Sequence, residues 1–381
     1  MKALVYVQHL LGIGHLARVS HIAWALNAAK IDVAVVSGGV PVAGFPKVQV
    51  KLIQLPPIRS RDTAFSELVD GDDRLLSDEY KALRRDRLLS VFEDFSPDAL
   101  IIEAFPFARR QMRFELIPLL EKAKSRRNPP IIATSVRDIL QENRKPGRAE
   151  ETLRVIADFF DLVLVHGDPR FARLEETFPL ARRIADRIAY TGLVAGEAQT
   201  SPDSFDVVVS AGGGVAGRKL IQTTAVVAPR LIDRLPRWCV ITGPNFPKPE
   251  QAALDSRLPE GIRLETFRPD FPGLLAKARL SVSQAGYNTV CDLLRARCRA
   301  VLVPFAEAGE TEQTDRAGRL EKLGFARVVR EDSLSPDSLM NAMLEAPEPP
   351  SHVLDLDGAR KTARLLADRF AARRGAPTRA S

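Results

Sequence analysis

"ALVYVQHLLGIGHLAR", Ala3–Arg18, opens with an apolar run that stops at a turn holding Gly12 and Gly14. A periodic stretch begins at once. Leu16, Val19, Ala23 and Leu26 repeat at helical spacing and leave Arg18 and His21 off that stripe. The next apolar run, Val33–Ser37, completes strand, glycine turn, helix and strand, the repeating unit of a parallel sheet. "FDVVVSAGGGVAGRKL", Phe205–Leu220, opens the second half of the chain in the same way. The pattern predicts an α/β protein of two Rossmann-like, doubly wound domains. Ligands of such sheets bind beyond the carboxyl ends of the strands, where strand order reverses. Two facing domains would place a ligand in the cleft between them.

The remaining apolar runs fit this plan. In the first half they are Val48–Leu55, Ala99–Glu103, Ile131–Ser135, Leu162–His166 and Ile188–Thr191. Gly192–Asp206 is small, polar and Pro-containing, and reads as a linker. Strands resume at Val207–Ser210, Trp238–Thr242, Arg263–Thr266, Leu280–Ser283, Ala300–Pro304 and Arg327–Arg330. The expected organisation is 1–195, 204–357, and a last helix with a basic tail at 358–381. Pro56–Ser77 is long for a loop in a compact domain and is a candidate cover for a binding site.

With 381 residues, 45% of them hydrophobic, the chain can bury two cores. "MKALVYV" reads as a strand rather than a signal peptide. No run of about 18 apolar residues suggests a membrane span. Cys239, Cys291 and Cys298 lack metal-ligand spacing and fit a reducing compartment, so a cytoplasmic protein is expected. The formal charge is +7, and arginines cluster at Arg84-Arg85-Arg87, Arg109-Arg110-Arg113, Arg126-Arg127 and Arg295-Arg297-Arg299. Nucleic acid, an anionic membrane face, a phosphorylated ligand or plain solvated helix faces would each account for them. Only 6% aromatic residues and no zinc-finger or RNP-type signature speak against nucleic acid.

Four stretches carry candidate chemistry. In "SAGGGVAG", Ser210–Gly217, the glycines, Gly213 and Gly214 among them, let backbone N–H groups approach a ligand. The following helix N-terminus and Arg218 add positive charge, so the stretch suits a diphosphate as well as a tight turn. In "SQAGYNTVCDLL", Ser283–Leu294, the turn Gln284-Ala285-Gly286 precedes a helix expected to start near Asn288 or Thr289, both good caps. Asp292 either closes a capping box with Thr289 or accepts hydrogen bonds from a ribose diol. In "VPFAEAGETEQTDRAGRLEKLG", Val303–Gly324, Glu310 and Glu312 favour a helix start, and Gln313 has no such structural reason to be there. The fourth is the opening turn. His15 stands at the first turn of the first helix, where an imidazole titrating near neutrality can take a proton. Glu103, Arg137 and Asp138 lie at or just after strand ends and are acceptor-side candidates with Gly12, Gly14 and Arg18.

In this order the four stretches resemble the GT-B glycosyltransferases, and the C-terminal half resembles family 28 through "ETFRPDF", "QAGYNTVCDLL" and "VPF…ETEQTDRA". The resemblance implies a UDP-sugar donor in the C-terminal domain. Phe267 and Arg268 would lie along the uracil. Asp292 matches the ribose-binding acid, usually Glu in the family, and Gly286 and Thr289 would frame the diphosphate and ribose. Glu312 and Gln313 match the pair that holds the donor sugar, Gln-Gln in the family. His15 matches the active-site histidine.

The resemblance further implies an inverting transfer of a hexosamine to a lipid-linked or small-molecule acceptor, with possible contact at the inner membrane face. It implies no cofactor and no metal, and the acids at Asp70–Asp73 read as loop acids. "GIGHLAR" also matches the G-x-G-H-x-x-R of a nucleotide-sugar hydrolase on the same fold, so hydrolysis or epimerisation stays open. A binding protein without turnover is the third reading.

Overall fold

Continuous apolar runs become strands buried on both faces, as parallel sheets covered by helices require. The computed structural model describes residues 1–10, 12–42, 50–62, 67–141, 146–212, 217–243, 246–306, 310–351 and 354–375. The chain forms two units, Met1–Val194 with Asp355–Ser381, and Ala195–Leu354.

The first unit contains β1 (Lys2–Val7), α1 (Gly14–Ala28), β2 (Asp32–Ser37), β3 (Lys51–Gln54), β4 (Arg59–Ser60), β5 (Leu68–Val69) and α2 (Asp78–Phe95). It continues through β6 (Ala99–Glu103), α3 (Arg113–Lys124), β7 (Ile131–Arg137), α4 (Arg148–Phe159), β8 (Leu162–His166), α5 (Leu174–Thr177) and β9 (Ile188–Tyr190). Its parallel sheet runs β3-β2-β1-β6-β7-β8-β9, so strand order reverses between β1 and β6. The stretch Pro56–Ser77 is not a plain loop. β4 and β5 pair antiparallel within it, and the Ser60 N–H donates to the Leu10 carbonyl at 3.0 Å, tying the hairpin to the turn after β1.

The second unit contains β10 (Val207–Ser210), α6 (Arg218–Leu231), β11 (Trp238–Ile241), α7 (Lys248–Asp255), β12 (Ile262–Glu265), α8 (Phe271–Leu275) and β13 (Leu280–Ser283). Then come α9 (Tyr287–Ala296), β14 (Ala300–Leu302), α10 (Glu312–Lys322), β15 (Arg327–Val328) and α11 (Pro336–Leu344). Its sheet runs β12-β11-β10-β13-β14-β15, and order reverses between β10 and β13. Each glycine turn therefore leads away from a reversal point.

The last helix, α12 (Gly358–Gly375), belongs to the first unit. The chain returns there because Gly192–Val194 and Asp355–Gly358 lie side by side. The Leu193 N–H donates to the Asp355 carbonyl at 2.7 Å, and the Gly358 N–H donates to the Leu193 carbonyl at 3.0 Å. A Cβ on Gly358 would lie 2.2 Å from the Gly192 carbonyl oxygen, so the crossing admits only glycine. From there α12 packs on α1, and Arg360 lies over the Trp24 ring at 5.7 Å.

The stretch expected as linker is partly stitched to the second unit. Ser201 Oγ donates to Asp270 Oδ2 at 2.6 Å, and Asp203 pairs with Arg268 at 2.7 Å.

Several clustered arginines are spent on internal partners. Arg84 is fully buried against Glu115, Arg110 and Arg113 pair with Glu151, and Arg126 pairs with Glu93 at 3.0 Å. Among the described residues no helix is long and apolar enough to cross a membrane.

Candidate functional site

In the first unit the reversal point lies between the ends of β1 and β6, and the polar residues there converge. α1 starts at Gly14 without a capping side chain and with no acid in its first turn. Gly12, just before it, is exposed, and a Cβ there would meet nothing within 4 Å. His15, one residue into α1, places Nδ1 2.9 Å from Glu103 Oε1 at the end of β6. The His15 side chain is 13% exposed and that of Glu103 is fully buried. Arg18, one turn on, is also buried and donates to the same carboxylate oxygen.

Arg18 and Glu103 thus turn toward each other. Arg18 leaves the apolar stripe yet is buried, because it reaches Glu103. Neither side chain faces solvent as an acceptor contact. Asp138 is likewise fully buried, and its Oδ1 accepts from the Ile139 N–H at 2.8 Å. Arg137 ends β7 half-buried. Arg109, one of the clustered arginines, sets its Nε 2.9 Å from the Gln8 carbonyl, and its charge acts on His15.

The electrostatics keep the His15 imidazole neutral. Burial, then the Arg109 charge, pushes the His15 imidazole down to about 3, against the pull of Glu103. Burial alone would raise the Glu103 carboxyl. Arg18 and the bonds from His15 and Ser135 outweigh it and bring the group down to about 2. A neutral imidazole whose Nδ1 faces a carboxylate carries its hydrogen on Nδ1, which leaves Nε2 with a free lone pair. His166, buried on β8, is also held down to about 3, first by burial and then by Arg18.

These imidazoles make stability pH-dependent. In the unfolded chain each titrates near 6.5; folded, each stays neutral to about 3. The unfolded state therefore binds more protons below about pH 6.5. The stabilisation is fully present above that pH and falls as pH drops toward 3, by up to about 1.4 kcal/mol per pH unit for each imidazole. Glu103 adds its own loss only below about 4.5. Urea unfolding at pH 7.5, 6 and 5 measures this, and equal stabilities at all three would refute it.

In the second unit two helix N-termini flank the reversal point. α6 starts after Gly217 and α9 starts after Gly286. Neither has a capping side chain or an acid in its first turn. The expected caps Asn288 and Thr289 lie instead inside the first turn of α9, half-buried, and the expected Thr289–Asp292 box is absent, since the helix starts at Tyr287. β10 and β13 are neighbours, and the Gln284 N–H donates to the Ser210 carbonyl at 3.2 Å, so the two turns are adjacent. The glycines differ in their reasons. Gly217 packs on Ala211, whose carbonyl oxygen is 2.8 Å from where a Cβ would be. Gly286 has ordinary φ and open space around it, so neither strain nor packing demands glycine there. Gly213 and Gly214 lie outside the described residues. Backbone N–H groups at two uncapped, adjacent N-termini suit an anion.

Around these turns the candidates sort into exposed side chains and internally committed ones. Arg218 opens α6, half-exposed, with its Nε 2.8 Å from Glu250 Oε2. Phe267 is 50% exposed after β12. Arg268 is committed to Asp203 and Asp270, and its hydrogen bond holds the Asp270 carboxyl down to about 2. Gln284 and Ala285 are buried, and Asp292 is half-buried on α9.

The α10 candidates all have structural work. Glu310 Oε1 accepts from the Glu312 N–H at 2.8 Å. Glu312 is buried and pairs with Arg316 at 2.8 Å; Arg316 in turn donates to the Ala285 carbonyl at 3.1 Å. Gln313 Oε1 accepts from the Phe305 N–H at 3.2 Å, a reason the sequence did not disclose. Among the described residues no group of three or more His, Cys, Asp or Glu is placed to hold a metal ion.

Residues 207–369 match the model of the Glycosyltransferase family 28 C-terminal domain. A similar curated protein is the UDP-N-acetylglucosamine--N-acetylmuramyl-(pentapeptide) pyrophosphoryl-undecaprenol N-acetylglucosamine transferase of Methylorubrum extorquens. It is 35% identical over 114 residues, 29% of this chain and 31% of that protein. The chain thus spans about a third of that relative's length, and about half of others with the same name. Among solved structures, the calicheamicin glycosyltransferase CalG4 aligns over 99% of this chain and 96% of its own, at a TM-score of 0.60 and 15% identity. MurG of Acinetobacter baumannii aligns over 97% and 100%, at 0.54 and 14%. The fold is that of the GT-B glycosyltransferases.

Proposed function

We infer that this chain, a family 28-like protein with the GT-B glycosyltransferase fold, is an inverting, metal-independent transferase. It moves a hexosamine from a UDP-sugar to an acceptor hydroxyl. The observation that carries the reading is the pair of uncapped helix N-termini, α6 and α9, at the reversal point of the unit that matches family 28. Their N–H groups and Arg218 would hold the diphosphate. Phe267 would lie along the uracil, and Asp292 would accept from the ribose diol. Glu312 and Gln313 would contribute to the sugar pocket by holding its backbone in place.

His15 is the base in this reading. Its Nε2 takes the proton of the acceptor hydroxyl as that oxygen attacks the anomeric carbon. The bond from that carbon to the UDP oxygen breaks on the opposite face. The transition state has oxocarbenium character, and negative charge grows on the departing diphosphate. Fixed N–H dipoles and the Arg218 cation stabilise that charge without having to reorganise. Glu103 holds the hydrogen on Nδ1 and stabilises the imidazolium as it forms. The relatives' printed name supports a lipid-linked acceptor, hence action at the inner face of the cytoplasmic membrane, with a soluble sugar as the other acceptor class.

The G-x-G-H-x-x-R opening keeps a hydrolase as the second reading. It predicts UDP release without any acceptor.

Thermal shift with UDP, UDP-N-acetylglucosamine, UDP-glucose, dTDP, GDP-mannose and NAD tests the donor site. A ligand of the native state at 100 times its Kd stabilises by about 2.7 kcal/mol. The expected result is a rise in melting temperature with the uridine nucleotides and none with NAD. A flat response to every uridine nucleotide would remove the reading.

A further inference from the structure

Three polar side chains behind Glu103 have no part in the chemistry above, yet they lie in one row across neighbouring strands. Ser135 is on β7, His166 ends β8, and Thr191 follows β9. All are buried. Ser135 Oγ is 2.5 Å from Glu103 Oε2, His166 Nε2 is 2.9 Å from Ser135 Oγ, and His166 Nδ1 is 2.8 Å from Thr191 Oγ1.

Counting hydrogens gives these three bonds one consistent direction. A carboxylate only accepts, so the single Ser135 hydroxyl hydrogen points to Glu103. Ser135 then has only lone pairs for His166, so His166 Nε2 must be the N–H. A neutral imidazole carries one hydrogen, so Nδ1 is bare and accepts from Thr191. The other carbonyls near Thr191 Oγ1 are farther, at 3.3 and 3.4 Å.

We propose that Thr191, His166 and Ser135 form a one-way hydrogen-bond relay that holds the Glu103 carboxylate in place for His15, which makes His166 a positioning residue for the base. The proposal rests on His15 being the base. With Oε2 taken by Ser135, the carboxylate presents Oε1 to His15 and Arg18. β8 reads Leu-Val-Leu-Val-His and is wholly buried, so packing alone would be met by another aliphatic residue at its end. An imidazole there makes sense as a donor to Ser135 whose other nitrogen is itself held.

Long-range ¹⁵N–¹H NMR of the imidazoles in the full chain at pH 7 reads the relay without any substrate. The expected spectrum has His166 as the Nε2–H tautomer and His15 as the Nδ1–H tautomer. In Ser135→Ala and His166→Leu, His15 becomes a mixture of tautomers. Turnover falls about 10- to 100-fold at unchanged donor KM, the scale on which outer partners of metal-ligating imidazoles act. Ser135→Thr keeps the hydroxyl and restores both readouts.

An Nδ1–H tautomer at His166 in the wild-type chain overturns the relay even if no variant folds. So does an unaltered His15 tautomer in folded Ser135→Ala. If the tautomers are as stated but His15→Gln keeps its turnover, the relay stands and the base assignment falls.

Discussion

His15→Gln lowers turnover by about 10²- to 10⁴-fold and leaves the UDP-induced rise in melting temperature unchanged. Two facts make the effect large and local. The imidazole is partly exposed, at 13%, and held neutral, so its Nε2 lone pair is available to a hydroxyl proton. Its carboxylate partner sits at 2.9 Å and orients it before any substrate arrives. Glutamine keeps the size and the bond to Glu103 but has no basic nitrogen. In the proposed reading the nucleotide contacts belong to the other unit, so affinity for UDP is expected to hold. Glu103→Gln should approach the same loss by another route. Its amide can donate to Nδ1, which moves the imidazole hydrogen to Nε2 and removes the lone pair the reaction needs. Measuring kcat, KM and UDP binding for both variants checks this. Turnover of His15→Gln within a few fold of wild type would end the role of His15 as base.

The sheet was legible in the sequence because parallel strands buried on both faces appear as unbroken apolar runs between glycine turns and amphipathic stretches. His15 stands out as well, since a histidine in a glycine turn has no packing reason. The partners of His15 stand out less. Glu103 and Arg18 carry ordinary charges, and only the pairing of β1 with β6 brings an acid 88 residues away in sequence onto the imidazole. A signal did exist. β6 reads Ala-Leu-Ile-Ile-Glu and β8 reads Leu-Val-Leu-Val-His, apolar runs that end on a buried ionisable group. A charge at that place is costly without a partner. In α10 the internal partners of Gln313 and Glu312, the Phe305 N–H and Arg316, are backbone and helix contacts that side-chain identity does not reveal. The return of α12 depends on one glycine crossing and has no local signature.

Arg84→Met costs the first unit about 3–5 kcal/mol, the scale of a buried ion pair that loses one partner. From sequence, Arg84 is one of three clustered arginines, for which a solvated helix face is one of the readings. In the structure its guanidinium is fully buried and joins four segments. Nε and Nη2 donate to the two oxygens of Glu115 at 2.6 and 3.0 Å, Nη1 donates to the Gly38 carbonyl at 2.7 Å, and Nη2 donates to Gln8 Oε1 at 2.5 Å. Tyr6 donates its hydroxyl to the same carboxylate, and its ionisation is pushed well up by burial and then by Glu115. Methionine fills most of the volume but removes both Arg84 donors from Glu115, keeping the Tyr6 hydroxyl, and leaves the Gly38 carbonyl without this one. A loss of this size lowers the melting temperature by roughly 6–20 °C in a unit of about 200 residues. Arg84→Met/Glu115→Leu recovers only part of it, because Tyr6, Gln8 and Gly38 still lose partners. Arg85→Met is the control. Its ion pair with Asp86 is exposed, and removing it changes stability by less than about 0.5 kcal/mol. Denaturant titration of the three variants decides. Equal, small effects at positions 84 and 85 would mean that the arginine cluster is a solvated face after all. A large effect at 84 alone would mean that the turn after β1, and with it the approach to His15, is held from below by a buried charge.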